Sequence, residues 1–483
     1  MTGEYRNHPS VLLEVAARLG ASFLFLFLVV GRLQVILPLF GIVFIALMTY
    51  SIAVWKHTCI SFEETELIVH REMKLIKSDK RIQYSRLASV SATRSLINRI
   101  FGTMRLRFNL NSSVDADRSE ATLTVKIEVA EAIRCELNSK IFSESTDAAE
   151  ESEVESLVVV SNTDIIIHSF ISQPTSRLLF AVLMLVYSIL SIVYRSTSGL
   201  IIPMILLIAN EIVPLIKEVL AYCNYRIYRV GDTITVESGL ITTVRRSFKV
   251  GKVNSIRLRQ PLIARVFGLA VLDAEVVGLT VDSRDSAFPL LCPLKKESEV
   301  RSLMVRILLE VVFEPESISQ SRGALMAMGL VNVFYACIAV VLSLFLLISA
   351  RPTIGGMDNL SDAILLVTGL FVAIGLPLLL AGHVVLAQRN RRFALGPESF
   401  MMVNGGYDTS SEFILYDKVQ YADVRSGPIQ RRFATAVLDV GMMSSGGFRA
   451  VRSGLFPPQE LELVPSEVID RICDGRYDYR KYE

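Results

Sequence analysis

Three blocks of nearly continuous apolar residues divide the chain: Val11 to Trp55, about Leu178 to Tyr222, and about Leu325 to Leu386. A bilayer core takes roughly 20 apolar residues per helix, so each block is long enough for two. Each is interrupted once, at Gly31-Arg32, at Arg195-Ser196-Thr197-Ser198-Gly199 and at Arg351-Pro352-Thr353-Ile354-Gly355-Gly356. The pattern predicts six transmembrane helices in three hairpins, over 11–55, 177–222 and 324–388. Between them, segments 56–142, 223–312 and 389–475 alternate apolar and polar positions with Gly, Asp and Ser punctuation, which is the signature of short strands. Segment 143–176 reads as an acidic linker and a strand; its stretch Glu144 to Glu155 is too charged to pack.

The soluble segments are copies of one another. Leu96-Ile97-Asn98-Arg99-Ile100-Phe101-Gly102 recurs as Leu262-Ile263-Ala264-Arg265-Val266-Phe267-Gly268, and more weakly as Pro428-Ile429-Gln430-Arg431-Arg432-Phe433-Ala434. Both intervals are 166 residues, and Glu66, Asp232 and Glu398, Leu106, Leu272 and Leu438, and Val90, Ile256 and Ala422 keep them. Each copy predicts a strand leaving the hairpin (Thr58 to Phe62; Tyr225 to Arg229; Arg392 to Leu395) and a second strand after a turn (Leu67 to Arg71; Ile234 to Glu237; Phe400 to Val403). Ser238-Gly239 and Gly405-Gly406 supply the next turn with the positive φ it needs. A third strand, the repeated motif and an aliphatic strand (Met104 to Leu110; Ala270 to Val277; Ala436 to Met442) follow. A closing helix is expected within Ala130 to Ile141, Lys295 to Leu309 and Pro465 to Cys473. A sheet closed by one helix buries a core in roughly 80 to 100 residues.

Composition agrees with embedded helices carrying soluble domains: 51% hydrophobic, 20% charged, mean hydropathy +0.45. A net charge of +2 with scattered basic residues gives no electrostatic case for nucleic acid. The six cysteines lie far apart, with no metal-ligand spacing, and fit reduced thiols. No cleavable signal peptide is read at the N-terminus. Because every hairpin returns the chain to its starting side, all soluble segments share one face. Lys56, Arg177, Arg226, Arg229, Arg322, Arg389, Arg391 and Arg392 flank that face, against Arg32, Arg195 and Arg351 in the turns. Excess Lys and Arg mark the cytoplasmic side of a cell membrane, so both termini are expected inside.

With its hairpin exits, Gly turns and Leu-Ile-x-Arg-Ile/Val-Phe-Gly motif, the chain resembles the bacterial pleckstrin-homology-like (bPH2) membrane proteins of the YdbS/YdbT family, most like the larger YdbT type. Arg6-Asn7-His8-Pro9 is similar to that family's start. The resemblance spans nearly the whole chain. It implies a PH-like split β-barrel or sandwich with a C-terminal helix after each hairpin, and no enzymatic activity or cofactor. It also implies partners: membrane lipids, and a smaller two-helix PH-like membrane protein (YdbS-like) or self-association. Copy three departs from the pattern, with Ala434 for the motif glycine and Glu412 where the others carry Lys80 and Arg246.

No phosphate-binding loop, metalloprotease helix, nucleophile elbow or metal-spaced Cys/His cluster is present, so catalytic and metal sites are expected to be none. Arg99, Arg265 and Arg431 either contact lipid phosphates through paired guanidinium donors or pin the motif loop to its own sheet. Phe101, Phe267 and Phe433 read as core anchors, with the small residue after each letting backbones approach. The basic third strand, with Lys80 and Arg81 in copy one and Arg245, Arg246 and Lys249 in copy two, is either a headgroup- or partner-binding edge or a solvated face. Glu211, near the middle of the fourth predicted span, is a functional candidate because carboxylates in hydrocarbon are costly; its alternative is a polar interhelical contact. Glu14 and Arg18 are expected to pair along the first helix. The leading expectation is a membrane scaffold presenting three PH-like domains. The alternative is a transporter or export component whose domains gate the helices.

Overall fold

The computed structural model describes residues 3–30, 33–73, 76–84, 87–110, 121–142, 158–193, 197–277, 290–307, 317–350, 360–444 and 447–476. The acidic stretch Glu144 to Glu155 and the turns Gly31-Arg32, Arg195-Ser196 and Arg351 to Gly356 lie outside them.

Three units follow one another with the same order of strands, motif helix and closing helix after each hairpin, and unit two carries an extra helix before its hairpin. Unit one comprises β1 (Gly3–Arg6), α1 (Ser10–Val30), α2 (Leu33–Lys56), β2 (Thr58–Phe62), β3 (Glu66–Met73), β4 (Ile76–Gln83), β5 (Leu87–Arg94), α3 (Leu96–Ile100), β6 (Thr103–Leu110), β7 (Ala121–Lys126) and α4 (Ile127–Phe142). Unit two begins with β8 (Val158–Val159), α5 (Asn162–Ile171), α6 (Thr175–Val193), α7 (Thr197–Leu207) and, after a π turn at Ile208–Ile212, α8 (Val213–Tyr222). It continues with β9 (Arg226–Val230), β10 (Thr233–Ser238), β11 (Thr243–Lys249), β12 (Val253–Gln260), α9 (Leu262–Val266), β13 (Leu269–Val276), β14 (Leu290–Lys296) and α10 (Glu297–Ile307). Unit three has β15 (Ile318–Ser319), α11 (Arg322–Ala350), α12 (Leu360–Leu370), a π turn at Phe371–Gly375 and α13 (Leu376–Asn390). Then come β16 (Arg392–Leu395), β17 (Ser399–Gly405), β18 (Thr409–Leu415), β19 (Val419–Arg425), α14 (Pro428–Arg432), β20 (Val437–Ser444), β21 (Gly447–Arg452) and α15 (Pro458–Cys473).

Three helices among the described residues are long and apolar enough to cross a membrane, within Thr175–Val193, Arg322–Phe345 and Ala363–Asn390, where the sequence predicts six. Among the described residues of the first block there is a further, shorter apolar helix, Phe40–Lys56. The fourth predicted span is divided by the π turn at Ile208–Ile212 and carries Glu211, Lys217 and Glu218. Along α6 and α11, large apolar side chains such as Leu185, Ile192, Val341 and Phe345 point outward.

In each unit three strands after the hairpin form a first sheet, extended by the short β1, β8 or β15, and the next three form a second sheet. The two sheets face each other over an apolar core closed by α4, α10 or α15. Leu106, Leu272 and Leu438, aligned by the 166-residue interval, are each 0% exposed. The Gly239 (φ 114°) and Gly405 (φ 112°) turns are as expected, since a Cβ at either would collide with the carbonyl oxygen of Thr242 or Asp408.

The sequence does not foretell that the sheets are shared. β5 of unit one pairs with β11 of unit two, and β12 of unit two with β18 of unit three. Two continuous seven-stranded sheets result, ordered β7-β6-β5-β11-β10-β9-β8 and β14-β13-β12-β18-β17-β16-β15. Four strands, β1-β2-β3-β4, remain at one end and three, β19-β20-β21, at the other. The junction register repeats: Arg94 faces Thr243, and 166 residues on Gln260 faces Thr409. The cores merge accordingly, with Ala394, Met401 and Phe413 of unit three in one cluster with Ile256 and Leu258 of unit two.

Candidate functional site

The repeated motif folds as a five-residue helix followed by a left-handed residue, Gly102 (φ 61°), Gly268 (φ 65°) or Ala434 (φ 51°). So short a helix buries one position, Asn98 or Ala264, and leaves its tip outside. Ile100 is 71% and Phe101 45% exposed; Val266 is 75% and Phe267 66% exposed. This corrects the expectation that these phenylalanines anchor the core. A Cβ on Gly102 or Gly268 would meet nothing within 4 Å, so glycine is there for its φ, not for close approach.

Both tips stand beside the foot of a helical hairpin. In unit one, Ser95 Oγ caps α3 by accepting from the Asn98 N–H (3.3 Å) and donates to Glu14 Oε1 of α1 (2.8 Å). The other oxygen of Glu14 ion-pairs with Arg105 of β6, so Glu14 holds α1 to the sheet. Arg6-Asn7-His8-Pro9 completes the clamp. Asn7 Oδ1 accepts from the Thr124 N–H (2.7 Å), its carbonyl accepts from the Trp55 indole of α2 (2.7 Å), and the His8 N–H donates to the Thr124 carbonyl (2.7 Å). The His8 ring lies 6.2 Å from that of Phe101.

In unit two the joint is Asp408, from the β17–β18 turn. Its carboxylate accepts from the Thr175 N–H (2.9 Å) and hydroxyl (2.5 Å) at the start of α6, and from the Leu262 N–H (3.0 Å) at the start of α9. One side chain thus satisfies orphan donors at two helix N-termini. It also ties the start of α9, the short helix that leads to Val266 and Phe267, to the first turn of an apolar helix. Arg265 donates to the Gly406 carbonyl of the same turn (3.3 Å), Arg431 to the Ser426 carbonyl (2.9 Å), and Arg99 is exposed.

The basic third strand divides between settings. In unit one, Lys80 and Arg81 are exposed on β4, with Arg81 3.6 Å from Glu66. In unit two β11 is an interior strand, flanked by β10 and β5. There Arg245 pairs with Glu237 (2.8 Å) and donates to the Tyr228 hydroxyl (2.8 Å), while Arg246 and Lys249 are half-buried. In unit three the odd residue Glu412 lies opposite Arg257 across the β12–β18 junction. It takes Arg449 (2.5 Å), which also reaches Glu275 of unit two (3.4 Å). Asp273 beside them holds both Arg257 (3.1 Å) and Arg259. The departure of copy three at this position is therefore a buried ion network that joins two units.

Glu211 sits on the π turn and pairs with Arg177 in the first turn of α6 (3.0 Å). It is therefore level with the foot of that helix and not with its middle. Below it, His168 of α5 is buried; its Nδ1 accepts from the Leu294 N–H (3.2 Å) and its Nε2 faces Glu218 (3.6 Å). Burial, with Arg259 nearby, pushes the His168 pKa down to about 4. Burial likewise pushes the Cys292 thiol up to about 12. Among the described residues no group of three or more His, Cys, Asp or Glu is placed to hold a metal. The exposed motif tips were missed in the sequence because an aromatic before glycine reads as core; the signal available was the shortness of the motif helix.

Comparison with curated proteins and with solved structures returned no match. The family model described as bacterial PH domain matches three times, over residues 18–141, 166–304 and 329–472. Each match opens near or within a hairpin's first helix and runs into the closing helix of the unit. Covering well over half of the sequence in three successive copies, these matches place the chain in the bacterial PH domain family.

Proposed function

We propose that the chain is a non-enzymatic scaffold of the YdbT type in a cell membrane, with six helices crossing in three hairpins and both termini and all β units on the cytoplasmic face. The apolar helices and the basic residues at their feet support that topology. In this reading the motif tips seat the array on the membrane. Ile100, Phe101, Val266 and Phe267 enter the interface, and Arg99 faces anionic headgroups, where a nearby basic residue contributes about 1 kcal/mol. Beyond lipids, the proposed partner is a PH-like membrane protein, either a smaller two-helix relative or another copy. The observation that carries the proposal is the exposure of Val266 and Phe267 at the end of the short helix whose start Asp408 ties to the α6 N-terminus. Glu211, paired with Arg177, favours a scaffold over a transporter.

The test uses the full chain in nanodiscs, because the shared sheets leave no unit complete alone. With the exposed Cys337 and Cys473 replaced by serine, a fluorophore is placed at Phe267→Cys, Ile100→Cys or, on α10, Glu299→Cys. Brominated lipid chains are expected to quench the first two labels and spare the third. Equal quenching at all three positions removes the proposal.

A further inference from the structure

Each internal junction joins the same two strands: the first strand of one unit's second sheet, β5 or β12, and the third strand of the next unit's first sheet, β11 or β18. Among the described residues the corresponding strands at the two ends of the array, β19 and β4, have no further strand beside them in their sheets. β19 keeps the form of a strand that takes a neighbour. Its register shift at Val419/Tyr421 falls where β5 has one at Leu87/Ser89 and β12 at Val253/Ser255. No proline blunts either strand, and such edges are templates for pairing.

Beside β19 lies a groove of about 380 Å³, between Tyr421 and Ala422 on the strand and Val468, Ile469 and Ile472 on α15. At the second junction the counterpart position is filled from the following unit: Phe413 of β18 is buried in one cluster with Ile256, Leu303 and Met304. Carrying the internal register forward by 166 residues sets Asp423 opposite Lys80, as Arg257 stands opposite Glu412, and Arg425 opposite Ser78. The charges also match: β4 shows exposed Lys80 and Arg81, while Asp423, which within the chain pairs with Arg425 of the same strand (2.6 Å), Asp470 and Asp474 lie along and beyond the groove.

We propose that a second copy of this chain lays its β4 along β19, continuing the β array head to tail in the register of the two internal junctions. Such a contact uses different surfaces on the two partners, so it closes into a ring or runs on as a filament. Main-chain hydrogen bonds hold it, and the Asp423–Lys80 pair fixes its register.

The experiment co-expresses two differently tagged full chains in membranes, one with Arg425→Cys and one with Ser78→Cys, in the background lacking Cys337 and Cys473. Oxidation is expected to give a reducible two-chain product carrying both tags. Asp79→Cys in place of Ser78→Cys, one residue out of register and on the opposite face, gives several-fold less. Asp423→Lys lowers the in-register yield, and Lys80→Glu in the partner restores it. No in-register product, equal yield from the slipped pair, or a product joining the chain only to a smaller protein overturns the proposal. The unlabelled chain in mild detergent gives a second reading: a multi-copy species reduced to one copy by Asp423→Lys supports pairing, and a wild type already at one copy overturns it.

Discussion

Ala434 occupies a left-handed backbone conformation that Gly102 and Gly268 hold in the other units, and an L side chain pays about 1 kcal/mol or more for it. Ala434→Gly is therefore expected to stabilise unit three by about 1 kcal/mol, partly offset by the added freedom of the unfolded chain; a melting temperature that falls would refute this. His168 is a second single-residue determinant. Its ordinary value of 6.5 drops to about 4 in the fold, so the unfolded chain binds a proton that the folded one refuses. Its contribution is complete above about pH 6.5 and is lost as pH falls toward 4, by up to about 3 kcal/mol. His168→Gln should flatten the decline in thermal stability between pH 7 and 5; an unchanged slope argues against it. Both residues were visible in the sequence, Ala434 as a break in a motif and His168 only as one of five scattered histidines. Burial, which gives His168 its meaning, depends on α5 folding against β14, and no local pattern states that.

At the scale of elements, the strands leaving the hairpins at Thr58 and Arg392 are found at the residues expected, and the closing helices within a turn or two. Alternation marks a strand and its faces, and a 166-residue repeat makes each copy a check on the others. Alternation does not say which strand lies next to which, and so the β5–β11 and β12–β18 pairings were hidden. The two-residue strands β8 and β15 are too short to show a period. One residue did announce a junction: Glu412 reverses the charge of Lys80 and Arg246, standing opposite Arg257 across the unit boundary and pairing with Arg449 of its own unit, which reaches on to Glu275 of unit two. Removing Arg449 leaves Glu275 and Glu412 buried without that cation. Arg449→Ala is expected to cost about 3 kcal/mol or more and to expose the β12–β18 amides to hydrogen exchange before those of β2–β3. Unaltered exchange at that junction would show that the network carries no stability.

For the whole molecule, the shared sheets make three repeats into one array. Residues 223–312 expressed alone would present β11 and β12 without their neighbours and are expected to aggregate or to lack cooperative melting; a soluble, sharply melting fragment would contradict this. The composition and apolar blocks made helical hairpins and β units legible. Among the described residues three long apolar helices stand where the hydropathy pattern predicts six, and within the fourth predicted span Glu211, Lys217 and Glu218 interrupt the apolar run. The order of synthesis gives the junctions a further meaning. β5 emerges about 150 residues before β11, and translation at about 5 to 20 residues per second leaves the interval at roughly 8 to 30 seconds. On the proposed topology, the nascent first unit displays an open strand throughout it while the second hairpin is still entering the bilayer. Unpaired strand edges are aggregation-prone, so on that topology the speed of membrane insertion, as much as the final contacts, is expected to set how much of the chain reaches its folded form.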